Sequence, residues 1–331
     1  MLAKLIPSVR LAASTAAAAL LLLAAGPARA QQAPWPQKLV RIQVAFAPGA
    51  STDNVTRKLA AIMSKSLGQA VAVENRQGAM GAIAMSYVAR ESPDGYTLAA
   101  NDSSSVIVPN TTSKVPYNLQ RDFTPIAAVM FSPLGIAVKG DSPFKTLQDF
   151  IRAAKAHPGR LTYGTGGAGS STHLAMAELA NEAGIELTHI PYKGAGEALL
   201  ALMGGQIDAQ FASPSTVMGH IETGKLRMLA ISGDAPPAAL PGVPTFAKAG
   251  LPNYSFFNWI GYWAPKGTPT PVVDRLQREI VAALATDEMK AYAQAIGATP
   301  RVESGEAFAQ LIEHENARIA GLVAKLNIEK Q

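Results

Sequence analysis

The chain has 331 residues and no cysteine, and it is 48% hydrophobic but only 16% charged. This composition excludes intrinsic disorder, because enough apolar surface is present to offset the conformational entropy lost on folding. The absence of cysteine excludes disulfides, thiolate metal sites, a cysteine nucleophile and a lipid anchor on an N-terminal cysteine. At roughly 150 residues per domain, the length predicts about two domains.

The formal net charge of +5 is concentrated at the N-terminus of the chain. Residues 1–30 contain three basic residues and no acid, which leaves 26 basic and 24 acidic residues in the rest. That remainder contains no cluster of lysine and arginine. We therefore expect no nucleic-acid partner, since such a partner requires clustered positive charge.

Residues 1–30 have the pattern of a secretory signal peptide. Lys4 and Arg10 form a positive start, an apolar run of 15 residues follows over 11–25, and 28–30 (Ala-Arg-Ala) is a small-x-small cleavage site. The apolar run is shorter than the roughly 20 residues needed to span a bilayer. The sequence therefore predicts cleavage after Ala30 and a mature protein outside the cytoplasm.

Strand and helix patterns alternate along the mature chain in two similar sets. The first set has strands at 39–46, 71–73 and 96–100 and helices at 51–67 and 81–90. The second has strands at 161–163, 187–190, 207–211 and 226–231 and helices at 147–156, 171–183 and 195–203. An aromatic segment over 254–263 and two amphipathic helices at 271–285 and 306–326 complete the chain.

This order predicts an α/β protein with two similar lobes. Each lobe is expected to be a mostly parallel sheet flanked by helices. The first lobe should comprise 31–130 and 260–331, and the second 131–259. A ligand should bind in the cleft between them, because ligands of open α/β sheets lie beyond the carboxyl ends of strands.

A glycine-rich loop over 164–169 connects a strand to a helix in the second lobe. Glycines allow close backbone approach to a ligand, and the helix start presents unpaired N–H groups, so the segment predicts an anion pocket. The dinucleotide pattern also fits the glycines, but Glu186 precedes the next strand instead of ending it. A phosphate loop is excluded because Ser170 occupies the lysine position.

Two other interpretations of this loop stay open. Ser170 and His173 could be the nucleophile and base of a serine hydrolase, although no G-x-S-x-G motif is present. Alternatively, the segment could be a helix cap without a ligand.

The segment over 46–53 repeats the strand, loop and helix order in the first lobe. Ser51 and Thr52 offer donors, while Asp53 either stabilises the first turn of its helix or accepts from a ligand amine or a water. Two further loops, 101–105 and 192–196, follow strands and could reach the cleft. The five histidines have no metal-ligand spacing, and His189, inside a strand, is expected to be a hydrogen-bonded structural residue.

Several motifs along the mature chain together resemble one family. They are Val44-Ala-Phe-Ala-Pro-Gly49 with Asp53, Pro93-Asp-Gly-Tyr-Thr-Leu98, Gly169-Ser-Ser-Thr-His-Leu174, His189-Ile-Pro-Tyr-Lys-Gly194 and Ala264-Pro-Lys-Gly-Thr-Pro269. In this order they resemble the Bug proteins, the TctC-type receptors of tripartite tricarboxylate transporters. These are periplasmic solute-binding proteins.

The resemblance implies the two-lobed periplasmic-binding-protein type II fold. It also implies a non-enzymatic, monomeric periplasmic receptor that closes on a small organic carboxylate. It implies delivery to the membrane permease of a tripartite tricarboxylate-type transporter, or to a sensor, and it implies no cofactor or metal. Ala50 departs from the family, which usually has glycine there. The predicted ligand-binding residues are Phe46, Gly49, Ala50, Ser51, Asp53, Ser103, Gly166, Gly167, Ser170, Ser171, Thr172 and Tyr192.

Overall fold

The structure is a computed structural model that describes residues 35–238, 240–325, 328 and 330. The signal peptide predicted over 1–30 lies outside the described residues. The chain divides into two units, 1–37 and 38–331, and every element named below belongs to the second. No helix in the described part of the chain has both the length and the apolar character needed to cross a bilayer.

The first sheet has six strands in the spatial order β11-β4-β10-β3-β1-β2. These are β1 (Val40–Val44), β2 (Val71–Asn75), β3 (Thr97–Asp102), β4 (Phe123–Pro133), β10 (Phe257–Pro265) and β11 (Thr299–Ser304). Its helices are α1 (Ser51–Leu67), α2 (Ala82–Val88), α3 (Ser104–Thr111), α4 (Leu119–Asp122), α9 (Thr270–Leu284) and α10 (Asp287–Ala295), with a 3₁₀ turn at Ala79–Gly81.

The second sheet has five strands in the order β7-β6-β8-β5-β9. These are β5 (Gly135–Lys139), β6 (Thr162–Thr165), β7 (Thr188–Pro191), β8 (Ala209–Ala212) and β9 (Leu226–Ile231). Its helices are α5 (Leu147–Ala156), α6 (Ser171–Ala183), α7 (Ala195–Met203) and α8 (Pro214–Glu222). The last helix, α11 (Glu306–Lys325), packs on both lobes.

The two-lobed α/β architecture is confirmed, but the direction of the strands corrects one detail of the prediction. Among the strands of the described residues, the parallel pairs are β1 with β2 and β3 in the first sheet and β6 with β7 and β8 in the second. The other neighbours pair antiparallel, so both sheets are mixed instead of mostly parallel. In the first sheet, β4 carries the chain out of the lobe and β10 carries it back, and the two strands therefore run in opposite directions.

The chain passes between the sheets at two adjacent points. It leaves the first sheet after Pro133 and returns at Phe257, and the backbone N–H of Leu134 donates to the carbonyl of Phe256 at 3.3 Å. The lobe boundaries at 130/131 and 259/260 stay a prediction, because β4 and β10 run through them.

Buried side chains form a core in each lobe, and α11 contributes to both. Phe308 packs with Trp259 and Trp263 in the first lobe, whereas Ile319 and Leu322 join the core of the second. The aromatic segment over 254–263 thus lies in the cores beside the crossing.

Candidate functional site

The loops predicted to bind a ligand follow parallel strands that are neighbours in their sheets. Val44 of β1 lies opposite Ala100 of β3, and Ala45 N–H donates to the carbonyl of Ala100 at 3.0 Å. In the second lobe, Tyr192 N–H donates to the carbonyl of Thr165 at 3.1 Å. Because parallel strands end at the same edge of a sheet, each lobe brings its candidate loops together.

Helix α1 begins without a side-chain cap. Ala50 is its N-cap residue and supplies no hydroxyl or carboxylate, and no described residue accepts from the backbone N–H of Ser51 or Thr52. Unpaired N–H groups and the helix dipole give this end a positive potential. The first turn of α1 is therefore free to bind an anion.

Asp53 holds the loop before α1 in place. Its carboxylate is 1% exposed and accepts from Gly49 N–H at 2.9 Å, Arg57 Nε at 2.9 Å and Asn75 Nδ2 at 2.7 Å. Burial alone raises the pKa of Asp53, but the hydrogen bonds from Arg57, Asn75 and Gly49 outweigh it and hold the pKa below its usual value. Asp53 thus uses its oxygens on protein groups, which favours its role as a support of the loop.

Helix α6 begins with a side-chain cap but also keeps free N–H groups. The Ser170 hydroxyl accepts from His173 N–H at 3.3 Å and donates to the carbonyl of Gly167 at 2.7 Å. Thr172 Oγ1 accepts from Gly166 N–H at 3.3 Å. The N–H groups of Ser171 and Thr172 have no acceptor among the described residues. This helix start has the same anion-binding character as that of α1.

The hydrogen bonds of Ser170 and His173 do not form a nucleophile and base pair. His173 Nδ1 accepts from the backbone N–H of Gly169 at 3.0 Å, and the Ser170 hydroxyl donates to a carbonyl instead of to the imidazole. A general base must reach the proton that it removes. The described geometry therefore gives the hydrolase interpretation no support.

Two imidazoles stack beneath the glycine loop. The rings of His173 and His189 have centroids 4.0 Å apart at an interplanar angle of 12°, and Tyr163 stacks on His189 at 5.0 Å. His189 Nε2 lies 2.6 Å from Thr165 Oγ1, so His189 is the hydrogen-bonded structural histidine predicted above. Burial and, secondarily, His189 lower the pKa of His173 to about 4.

The glycine loop of the second lobe contacts a helix of the first. A Cβ built on Gly169 would lie 2.9 Å from the Cβ of Thr111, the last residue of α3. Ile107, one turn earlier, belongs to the core cluster of the second lobe. Helix α3 therefore begins beside the loops of the first lobe and ends against the glycine loop of the second.

Three other predicted residues have protein contacts. Ser103 is buried and its hydroxyl donates to Asn258 Oδ1 at 2.9 Å, next to the crossing. Phe46 is half-buried and its carbonyl accepts from Asn75 Nδ2 at 2.9 Å. The half-buried ring of Tyr192 packs against Gly164, where a Cβ would lie 3.2 Å from Cε2.

One sequence prediction near this edge was wrong. The segment 101–105 is not a loop, because β3 continues to Asp102 and α3 begins at Ser104. No hydrogen bond or ion pair among the described residues joins the candidate loop of one lobe to that of the other.

Sequence reasoning missed two residues that support the loop before α1, Arg57 and Asn75. The i, i+4 spacing of Asp53 and Arg57 could have indicated their ion pair. Asn75 gave no local signal. Asn101, in the predicted loop 101–105, is fully buried, and its Nδ2 has no hydrogen-bond partner among the described residues. In the described part of the chain, no group of three or more His, Asp or Glu residues could hold a metal ion.

Two sheets with helix starts at their carboxyl edges, linked by two adjacent crossings, define a two-lobed solute-binding protein. Residues 55–328 match the family model of the tripartite tricarboxylate transporter family receptor, and the chain belongs to this family. It is 34% identical to the protein BugT of Bordetella pertussis over 291 residues, which is 87% of this chain and 89% of BugT.

Two solved structures of similar proteins contain carboxylates. Rpa4515 of Rhodopseudomonas palustris with adipate is 31% identical, with a TM-score of 0.78, and the match covers 89% of this chain and 99% of that one. MatC of the same organism with bound malate is 30% identical, with a TM-score of 0.73, covering 87% and 100%. The chain is thus a solute-binding receptor by family, and structures of its relatives contain dicarboxylates.

Proposed function

We propose that this chain is an exported, monomeric, non-enzymatic receptor that binds a small organic carboxylate between its lobes. The single observation that supports this most is the pair of helix starts with free backbone N–H groups. The N–H groups of Ser51 and Thr52 in one lobe, and of Ser171 and Thr172 in the other, have no acceptor among the described residues. A carboxylate would satisfy such groups and interact favourably with both helix dipoles.

The mechanism we propose is closure of the lobes on the ligand. A ligand that contacts both helix starts interacts with more groups in a closed state than in an open one. It stabilises the closed state by that difference in affinity. The two adjacent crossings at Leu134 and Phe256 would act as the hinge. The predicted ligand-binding residues of both loops remain part of this proposal.

The proposed cellular setting follows from the family and from the N-terminal sequence. Residues 1–30 would direct export to the periplasm and be removed after Ala30, without a lipid anchor. The loaded receptor would deliver its ligand to the permease of a tripartite tricarboxylate-type transporter or to a sensor. Adipate and malate, found in the structures of two relatives, are the first ligands to test.

The test uses aspartates that occupy the helix starts. Ser51 and Ser171 are each the first residue of their helix, so an aspartate there would neutralise the local potential and repel a ligand carboxylate. The matched control is Thr270→Asp, which alters the same first position in α9. Because β10 runs antiparallel to β3, α9 begins at the opposite edge of the first sheet.

Thermal unfolding and calorimetry with a panel of organic acids measure the outcome. A ligand at a hundred times its dissociation constant should stabilise the mature wild-type protein by about 2.7 kcal/mol. Ser51→Asp and Ser171→Asp should abolish this stabilisation without lowering the stability of the free protein, whereas Thr270→Asp should retain it. The proposal fails if no carboxylate stabilises the wild type, or if both aspartate variants bind normally.

A further inference from the structure

The shape of the glycine loop depends on an imidazole acceptor, not only on glycine. Gly169 is buried, and its backbone N–H donates to His173 Nδ1 at 3.0 Å. Gly169 has a φ of +74°, a conformation that suits glycine. The hydrogen bond from its N–H therefore fixes the orientation of the peptide between Ala168 and Gly169.

His173 contacts the glycine loop in two ways. Its own backbone N–H donates to the Ser170 hydroxyl, while its ring accepts from Gly169, and both contacts lie within the turn that begins α6. The stacked ring of His189 limits where the His173 ring can move, and His189 in turn contacts Thr165 Oγ1. Thr165 Oγ1 accepts from Gly167 N–H at 3.2 Å.

Only a neutral imidazole with a bare Nδ1 can accept the Gly169 N–H. Tyr163 of β6 and His189 of β7 stack beside the ring, and neither supplies a negative charge. Glu186 lines the same cavity as His173, but burial and His189 are the causes that set the pKa of His173. The pKa of His173, about 4, is lowered by burial first and by His189 second. The ring is therefore neutral at the pH values at which a carboxylate ligand is ionised.

We propose that His173 is a positioning residue for the ligand. Its neutral imidazole, with the proton on Nε2, holds the Gly169 peptide so that the N–H groups of Ser171 and Thr172 point into the cleft. This inference rests on the proposed function, because the positioned groups are those assigned to the carboxylate. It adds a residue that makes no contact with the ligand and that no carboxylate-binding pattern would have indicated.

Two substitutions separate the acceptor from the ring. His173→Asn keeps an acceptor close to the position of Nδ1 but loses the stacking, whereas His173→Phe keeps an aromatic ring on His189 but loses the acceptor. His157→Phe, at an exposed histidine that follows α5, is the matched control. All three variants are made in the mature, full-length protein.

Nuclear magnetic resonance of the ligand-free protein provides the first readout. Imidazole nitrogen shifts should show a proton on Nε2 and none on Nδ1 of His173 from pH 7 to pH 5. The amide signal of Gly169 should move in His173→Phe and stay close to its wild-type position in His173→Asn. A proton on Nδ1, or a Gly169 amide that is unaffected by His173→Phe, would overturn the inference whether or not any ligand binds.

Calorimetry with adipate and malate provides the second readout. We expect His173→Phe to weaken binding at least about tenfold, because it leaves a buried N–H unsatisfied, and His173→Asn to restore affinity to within about threefold of the wild type. Equal losses in both variants would overturn the inference in favour of a packing role. If neither acid binds the wild type, the proposed function fails for these ligands, and the amide and nitrogen shifts still decide the role of His173.

Discussion

Replacing Gly169 by alanine tests whether the glycine loop must approach helix α3 closely. The residue has a φ of +74°, and a Cβ there would lie 2.9 Å from the Cβ of Thr111. Gly184, which ends α6, is the matched control, because its φ is +61° and a Cβ there would meet nothing within 4 Å. Both alanines require the left-handed conformation, but only one of them also creates a steric clash.

The expected magnitudes follow from these two costs. The left-handed conformation costs a residue with a Cβ roughly 1–2 kcal/mol, and this cost is common to both variants. Overpacking against Thr111 adds about 1–3 kcal/mol at Gly169 alone, since neither backbone can move without disturbing the start of α6 or the end of α3. Gly169→Ala should therefore destabilise the protein by about 1–3 kcal/mol more than Gly184→Ala.

Urea-induced unfolding, followed by tryptophan fluorescence and circular dichroism, measures the free energy of unfolding of each variant relative to the wild type. Carboxylate titration of the two variants adds a functional readout, in which Gly169→Ala should bind more weakly and Gly184→Ala should bind as the wild type does. Equal destabilisation by the two alanines would refute the claim that contact with Thr111 constrains the loop. Weakened binding in both variants would refute the claim that the effect on the site is local.

Three further predictions concern charged or titrating groups. Asp53→Ala should cost about 2–4 kcal/mol in urea unfolding, because it removes a buried carboxylate that accepts from Gly49 and Arg57; a cost below about 0.5 kcal/mol would contradict its supporting role. Because the pKa of His173 falls from 6.5 to about 4 on folding, the imidazole of the unfolded chain becomes protonated at a higher pH than that of the folded protein. Stability should then fall by about 3 kcal/mol as pH drops from 6.5 to 4, and unfolding of His173→Asn over the same range should lack this contribution. Arg318→Met should cost about 1–3 kcal/mol, because Arg318 on α11 pairs with Glu178 of α6 at 2.5 Å, and unchanged unfolding would show that this pair is dispensable.

Much of the site could be predicted from sequence because its chemistry is local. The apolar alternation before Ala47 predicts a strand, the following residues predict a helix start, and the same order recurs around Ser170. An anion-binding helix start needs only free N–H groups and a dipole, which the chain creates wherever such a helix begins. The same patterns also predict that Ser170 can cap its helix and that the chain forms two lobes.

The supports of the site could not be predicted in this way. Asn75 reaches Asp53 across 22 positions, and His189 stacks on His173 only because β7 pairs with β6 beside the start of α6. A residue pattern gives the period of an element but not its neighbour in space. The interaction of two such side chains is therefore invisible until the sheet order is known.

The sequence by itself determined that helices begin at Ser51 and Ser171, each after a strand and a short loop, because capping and turn chemistry depend on a few adjacent residues. Only the tertiary structure decided that both sheets are mixed and that α11 contributes to two cores. It also decided that Gly169 meets Thr111, 58 positions away along the chain. These features depend on which apolar faces bury one another, and that choice is settled by the packing of the whole chain.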